Sequence, residues 1–354
     1  MVASASAADN WDYRLYLDVG YGASNREPSD GTWRSKGTTA VLNEPELFLA
    51  MGNLTKIATT DSRWGGEFGL QFGNDADAQE PLPDAESLAN SDVLYHLYRA
   101  NVSYLVGNDG QVQLTGGIFN SHIGYESYLA IENPNYTRAY LLDYVPYFML
   151  GAGADWKVSE KTDLAFYLTN GFNYLDNPND IPSLSFRGDW QLTPQFTFSQ
   201  SLYYGSDQEE TDIEYWRFFS DSIIEWTDGP WLVAAAFNIG KEKQANLPGQ
   251  PRYDWSAAAL WLRYALNERN SLAFRPEYYR DPDGLQTGAR QTIRAVTGTY
   301  KYNFPVSSGQ LVGAIELRYD KSTGEEGGFF DKPADQLVPT QAILFFSINY
   351  NFAG

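Results

Sequence analysis

From Trp11 onward every second residue is apolar: Trp11, Tyr13, Leu15, Leu17, Val19 and Tyr21 alternate with Asp12, Arg14, Tyr16, Asp18 and Gly20. A helix repeats its side chains every 3.6 residues and cannot gather such a set on one face. An extended strand, with a period of two, does so at once. The pattern returns along the whole chain, for example at Trp64, Gly66, Phe68, Leu70 and Phe72, at Leu94, His96, Tyr98, Ala100, Val102 and Tyr104, and at Ala342, Leu344, Phe346, Ile348, Tyr350 and Phe352. Sixteen such segments can be marked: 11–23, 44–54, 63–73, 93–106, 111–120, 147–158, 162–172, 182–192, 195–206, 212–227, 230–240, 252–266, 270–279, 290–304, 309–320 and 339–352. They average roughly a dozen residues, and ~9–11 suffice to cross a bilayer at barrel tilt.

The connections alternate as well. Short turns such as Gly107–Gly110, Ser159–Lys161, Thr193-Pro194, Asp228-Gly229 and Asn267–Arg269 follow even-numbered strands. Longer polar loops, 24–43, 74–92, 121–146, 173–181, 207–211, 241–251, 280–289 and 321–338, follow odd-numbered ones. The turn at 55–62 is less tight. Short turns at one end and long loops at the other predict an all-β, transmembrane, antiparallel up-and-down β-barrel of about sixteen strands, with turns on the periplasmic side and loops outside. A propeller would carry a motif repeated every ~40–50 residues, and none is seen. No run reaches the roughly 18 apolar residues of a membrane helix, which a barrel does not need.

Composition narrows the function. Forty-five Asp and Glu against 25 Lys and Arg give a net charge of −20, opposed to the basic footprint of a nucleic-acid binder. The absence of cysteine excludes disulfides, thiolate metal sites and cysteine nucleophiles, and two histidines, His96 and His122, make a multi-histidine centre a poor expectation. No cofactor and no metal site are expected. Aromatics at 16% oppose disorder. Residues 1–9, with Ala3-Ser4-Ala5 and Ala5-Ser6-Ala7, read as a signal-peptide remnant or a disordered end, leaving 10–354 as one barrel.

A resemblance then enters on particular residues. Gly117-Ile-Phe-Asn-Ser-His-Ile-Gly-Tyr-Glu126, Asn133-Pro-Asn-Tyr-Thr-Arg138, Gly151-Ala-Gly153 and Leu168-Thr-Asn-Gly171 resemble the bacterial outer-membrane β-barrel porins of the OmpL-like group. The closing Leu344–Phe352 alternation is similar to the last strand of outer-membrane barrels, although Ala353 and Gly354 follow the aromatic end. The resemblance implies residence in a Gram-negative outer membrane and passive diffusion of small hydrophilic solutes and ions. Its implied partners are the lipid bilayer, lipopolysaccharide and those solutes, with trimer against monomer left open. It also implies that the long loop 121–146 folds inward as a constriction.

Alternation points Arg14, Arg99, Arg187, Arg217, Arg263, Arg275 and Arg318 into the lumen, with Asp12, Asp18, Glu46, Glu67, Glu277 and Glu316. Loop 121–146 adds Tyr125, Glu126, Glu132 and Asp143. Carboxylates on an infolded loop facing arginines would set a transverse field across a water-filled pore. Solvated wall and loop charge is the plainer reading of any one of them. Segments 75–92, 173–181, 207–212 and 321–338 hold 16 acids and 2 lysines, −14 of the −20, so the outer mouth should favour cations. Two rivals remain: a closed structural or adhesive barrel, and a barrel hydrolase. The second needs Ser, His and a carboxylate to meet. His96 lies between Leu94 and Tyr98, and Ser121 and His122 point apart, so no triad is legible and no enzyme is expected.

Overall fold

The computed structural model describes residues 10–78, 96–107, 109–172, 175, 179–332 and 336–354. The remnant at 1–9, the start of segment 93–106 and much of the acidic stretches 75–92 and 173–181 lie outside those residues.

Sixteen antiparallel strands close into a barrel. They are β1 (Trp11–Ser24), β2 (Pro45–Lys56), β3 (Trp64–Phe72), β4 (Leu97–Val106), β5 (Val112–Asn120), β6 (Phe148–Ser159), β7 (Thr162–Thr169), β8 (Ser183–Gln191), β9 (Phe196–Ser206), β10 (Trp216–Asp228), β11 (Trp231–Lys243), β12 (Arg252–Ala265), β13 (Asn270–Asp281), β14 (Gln291–Phe304), β15 (Gln310–Thr323) and β18 (Thr340–Ala353). The small hairpin β16 (Phe329–Asp331) and β17 (Gln336–Val338) stands outside the barrel sheet, in the last loop. The barrel shuts where β1 meets β18, with Leu17 opposite Tyr350 and Val19 opposite Ile348. Closure removes every strand edge, so each backbone polar group in the apolar layer finds a partner within the sheet.

The two periods of the sequence become the two faces of the wall. Leu15, Phe68, Leu184 and Leu317 are more than half exposed, toward lipid. Aromatics cluster near the turn end of that face, with Trp11 edge-on to Trp64 at 6.4 Å and Trp231 against Tyr264 at 4.6 Å. Inward residues are buried instead: Asp18, Gln71, Ser201, Asp221, Trp261, Arg275, Thr297, Glu316 and Asn349 each keep 1% or less of their surface. Sixteen strands enclose a bore too wide for their own side chains to fill. Something else fills it.

Three expectations needed adjusting. The strand in segment 162–172 ends at Thr169, with one further backbone bond from the Asn170 amide to the Leu150 carbonyl at 3.0 Å. The ambiguous start of 212–227 is a 3-10 turn, Ile213–Tyr215, capped by the Asp212 side chain accepting from the Glu214 amide. Phe48 and Leu49 are both fully buried, because β2 slips its register against β1 at Asp18/Val19. Among the described residues no helix is long and apolar enough to cross a membrane.

Candidate functional site

The filler is loop 121–146, between β5 and β6. Its chain enters at His122, whose carbonyl accepts from Arg187 Nη1 (3.0 Å) and Ser201 Oγ (2.7 Å) on the wall. Gly124 follows at φ 98°, where a Cβ would come within 2.6 Å of Leu142, and its amide donates to Asp221. Tyr125 packs on Trp261 at 4.6 Å and donates its hydroxyl to Glu225 at 2.6 Å. Ser127 and Asn133 then tie the turn between them, amide to Oδ1 and Nδ2 to carbonyl, both at 2.7 Å.

Beyond that turn the loop crosses the bore and is held by β1 and by β11–β15. Lys301 Nζ donates to the carbonyls of Ala130 and Asn133. Asn135 reaches Thr299, and the Tyr136 hydroxyl donates to Asp18 at 3.0 Å. Glu316 accepts the amides of Tyr136 (2.6 Å) and Thr137 (3.0 Å), and Glu277 accepts that of Tyr140. These carboxylates of the wall thus bond to loop backbone, which otherwise would be buried without partners.

Ion pairs complete the anchorage. Glu126, fully buried, accepts from Arg275 Nη1 (2.6 Å), Trp261 Nε1 (2.8 Å) and the Ala139 amide (2.7 Å). Arg275 also meets Glu277, and Arg318 meets Glu277 (2.9 Å) and Asp320 (2.8 Å). Arg138 pairs with Asp75, and Lys36 with Asp143, joining three loops. Burial pushes the Asp75 carboxyl up, opposed by Arg138, and pushes the Lys36 ammonium down, opposed by Asp143. Removing one partner of such a pair costs ~3–5 kcal/mol, because the other charge stays buried.

The site residues expected from sequence therefore fall into two groups. Glu126, Asp143 and Arg275 are buried in direct ion pairs, and Arg217, half-buried, pairs with Glu242 and with Asp207 at 3.2 Å. Arg99 is buried too, its guanidinium 3.7 Å from the Tyr98 ring and 3.8 Å from Glu67. These loop acids and arginines do not face each other across water: they touch, and close contact replaces the expected field at those positions. Arg14 with Glu132 (2.8 Å, side chains 37% and 39% exposed) and Arg187 with Asp189 (2.8 Å) keep solvent access, as do Glu67 and, in part, Tyr125.

Sequence reasoning missed four anchors. Asp75 was read as loop charge, and Arg138 and Lys36 lie in loops without periodicity. Lys301 was legible: it sits between the outward Tyr300 and Tyr302, so alternation turns it inward. The structure also brings His122 Nε2 to 2.5 Å from Ser185 Oγ, a pair that sequence distance concealed. No third member joins them among the described residues. His122 Nδ1 has no partner, and Asp189 is held by Arg187 and Ser199. Burial, with Arg187 nearby, lowers the His122 pKa to about 4. No metal-binding group of His, Asp and Glu occurs among the described residues.

Two cavities open on the turn side of the loop. One, about 440 Å³, runs up the β2–β7 wall from Ile57 and Ala58 to Phe119–His122. The other, about 200 Å³, lies between Glu132, Arg263, Arg269 and Lys301. Larger concavities of about 540 and 800 Å³ are apolar and lie on the lipid-facing exterior.

The architecture has known counterparts. The anion-selective porin of Comamonas acidovorans superposes with a TM-score of 0.60 at 9% identity, covering 96% of this chain and 98% of that one. The outer-membrane channel DcaP of Acinetobacter baumannii gives 0.57 at 13% identity, over 99% and 100%. Outer-membrane expressed OmpT of Vibrio cholerae gives 0.57 at 11%, over 99% of each. At these identities the likeness is one of fold. No curated protein matches the chain. The family model described as "Putative beta-barrel porin-2, OmpL-like" matches residues 12–352. With nearly the whole barrel matched, the chain belongs to the OmpL-like β-barrel porin family, and it is an outer-membrane channel for solute diffusion.

Proposed function

We propose that small hydrophilic solutes and ions cross this barrel, without cofactor or catalysis, along a narrow seam between loop 121–146 and the β3–β8 wall. The asymmetry of the lumen carries the reading. Residues 126–143 form hydrogen bonds and ion pairs with β1 and with β11–β15, whereas Glu67, Asn101, Arg187 and Asp189, on β3, β4 and β8, keep solvent access without such a bond to them; the Arg14–Glu132 pair on β1 is open to solvent as well. The seam is of mixed charge, so selectivity rests on its exposed pairs rather than on the buried ones. The His122–Ser185 contact supports a structural role, since His122 lacks an orienting carboxylate on Nδ1 among the described residues. Lipopolysaccharide around the barrel, and a homotrimer, are part of the same proposal; one similar structure, OmpT of Vibrio cholerae, is described as a trimer form.

The experiment is reversal potential in planar bilayers under a salt gradient. Glu67→Gln with Glu132→Gln should move it toward anions, and Arg14→Ala with Arg187→Ala toward cations. Unchanged selectivity in both doubles, in a channel that conducts, would move the passage away from this seam. Chemical cross-linking in native membranes checks the trimer.

A further inference from the structure

The cavity of about 440 Å³ on the β2–β7 wall has the size of a small-molecule site, ~300–1,000 Å³. Its upper end is aromatic. Phe119 and Tyr167 lie with ring centroids 4.5 Å apart, and the His122 ring stacks on Tyr167 at 5.3 Å. Its sides are polar, with Glu67, Asn101, Gln113, Thr115 and Asp155 all lining it. The carboxylates are oriented rather than loose: Asn101 Nδ2 donates to Glu67 Oε2 at 3.0 Å, and the Tyr167 hydroxyl to Asp155 Oδ2 at 2.5 Å. Each leaves a second oxygen with no hydrogen-bond donor among the described residues.

Charge at this place is balanced. Arg99 stands 3.8 Å from Glu67, and Lys56 sits at the cavity foot, donating to Ser62 Oγ (2.8 Å) and the Trp64 carbonyl (2.7 Å). Lys56 and, behind the lining, Arg99 match the two carboxylates in number, so the site has no net formal charge to select an ion of either sign. An apolar solute would strand the amides and carboxylates without water, which costs free energy. A hydroxyl both donates and accepts, so a polyol can give protons to the free carboxylate oxygens and take one from the Gln113 amide, while the two Asn101 Nδ2 hydrogens stay on Glu67 and the Ile118 carbonyl. Its C–H face can lie against Phe119 and Tyr167.

We infer that this cavity is a binding site for a neutral, polyhydroxylated solute of sugar size on its way through the barrel. The inference rests on the channel reading and adds the class of solute.

Calorimetric titration of the purified full-length barrel in detergent tests it, with maltose as probe and lysine and glutamate as charged comparators. Maltose should bind, with the comparators weaker by about tenfold or more. Gln113→Leu and Asp155→Asn should each weaken maltose by about tenfold, while Gln310→Leu, at the other cavity, should leave it unchanged. Should Gln113→Leu fail to fold, Asp155→Asn keeps the side-chain shape and carries the comparison. Absence of maltose binding, tighter binding of lysine or glutamate, or unchanged affinity in the cavity variants overturns the inference. A barrel that conducts potassium chloride in bilayers yet ignores maltose keeps the channel reading and loses this site. One that binds maltose and does not conduct keeps the site and loses the channel.

Discussion

At the scale of single residues, burial decides what a charge does. Glu126 and Glu132 are six residues apart in one loop, yet one is sealed against Arg275 and the other shares water with Arg14. Glu126→Gln should cost ~3–5 kcal/mol, as for a buried pair broken on one side. Glu132→Gln should cost no more than ~1 kcal/mol, as for an exposed pair. Thermal unfolding followed by heat-modifiable gel migration measures both, and equal costs would contradict the burial described here. His122 gives the pH dependence. Its folded pKa is depressed to about 4, against an ordinary 6.5. Above pH 6.5 both states are neutral at this ring. As pH falls from 6.5 toward 4 the unfolded chain takes a proton that the folded one refuses, so stability is lost by about 1.4 kcal/mol per unit. His122→Gln should flatten that part of the melting-temperature profile. A profile identical to that of the unsubstituted protein would remove His122 as its source.

At the scale of elements, the strands were nearly all legible, because lipid on one side and polar groups on the other impose a period of two that turns interrupt. Trp11–Tyr21 and Leu311–Tyr319 read as strands and are strands. The lumen was less legible. Alternation says that Arg275 and Glu277 point inward, but not that Glu126, about 150 residues earlier, arrives against Arg275. That contact depends on the course of a loop without periodicity. Glycines mark where neighbouring strands press closest. At Gly117, with φ 123°, a Cβ would lie 2.2 Å from the Ala100 carbonyl oxygen, and at Gly151 2.1 Å from that of Leu168. Neither neighbour can yield, being backbone of a paired strand. Gly298, on the lipid face, has nothing within 4 Å. Gly117→Val should therefore abolish folded barrel, and Gly298→Ala should leave its yield unchanged. Loss in both, or in neither, would contradict the close pairing of β4 with β5.

At the scale of the whole molecule, a sixteen-stranded wall encloses a bore and loop 121–146 lies bonded across it. Outer-loop charge can bias ions near the mouth, yet salt screens it within ~10 Å at 0.1 M. The narrow region near Arg187, Asp189, Glu67 and Glu132 should outweigh the acidic mouth in setting selectivity, except at low salt. The anchors of loop 121–146 span β1 and β8–β15, so its course is fixed by the barrel rather than by the loop's own stiffness. The barrel ladder does not depend on the loop in return, since every strand pairs with its two neighbours. Single-channel conductance of the barrel with residues 127–142 deleted, beside the intact chain in the same salt, is thus the most direct measurement. A loop that constricts the bore predicts a folded barrel of markedly higher conductance. A folded barrel with unchanged conductance would show that ions pass elsewhere, and that loop 121–146 is not the constriction.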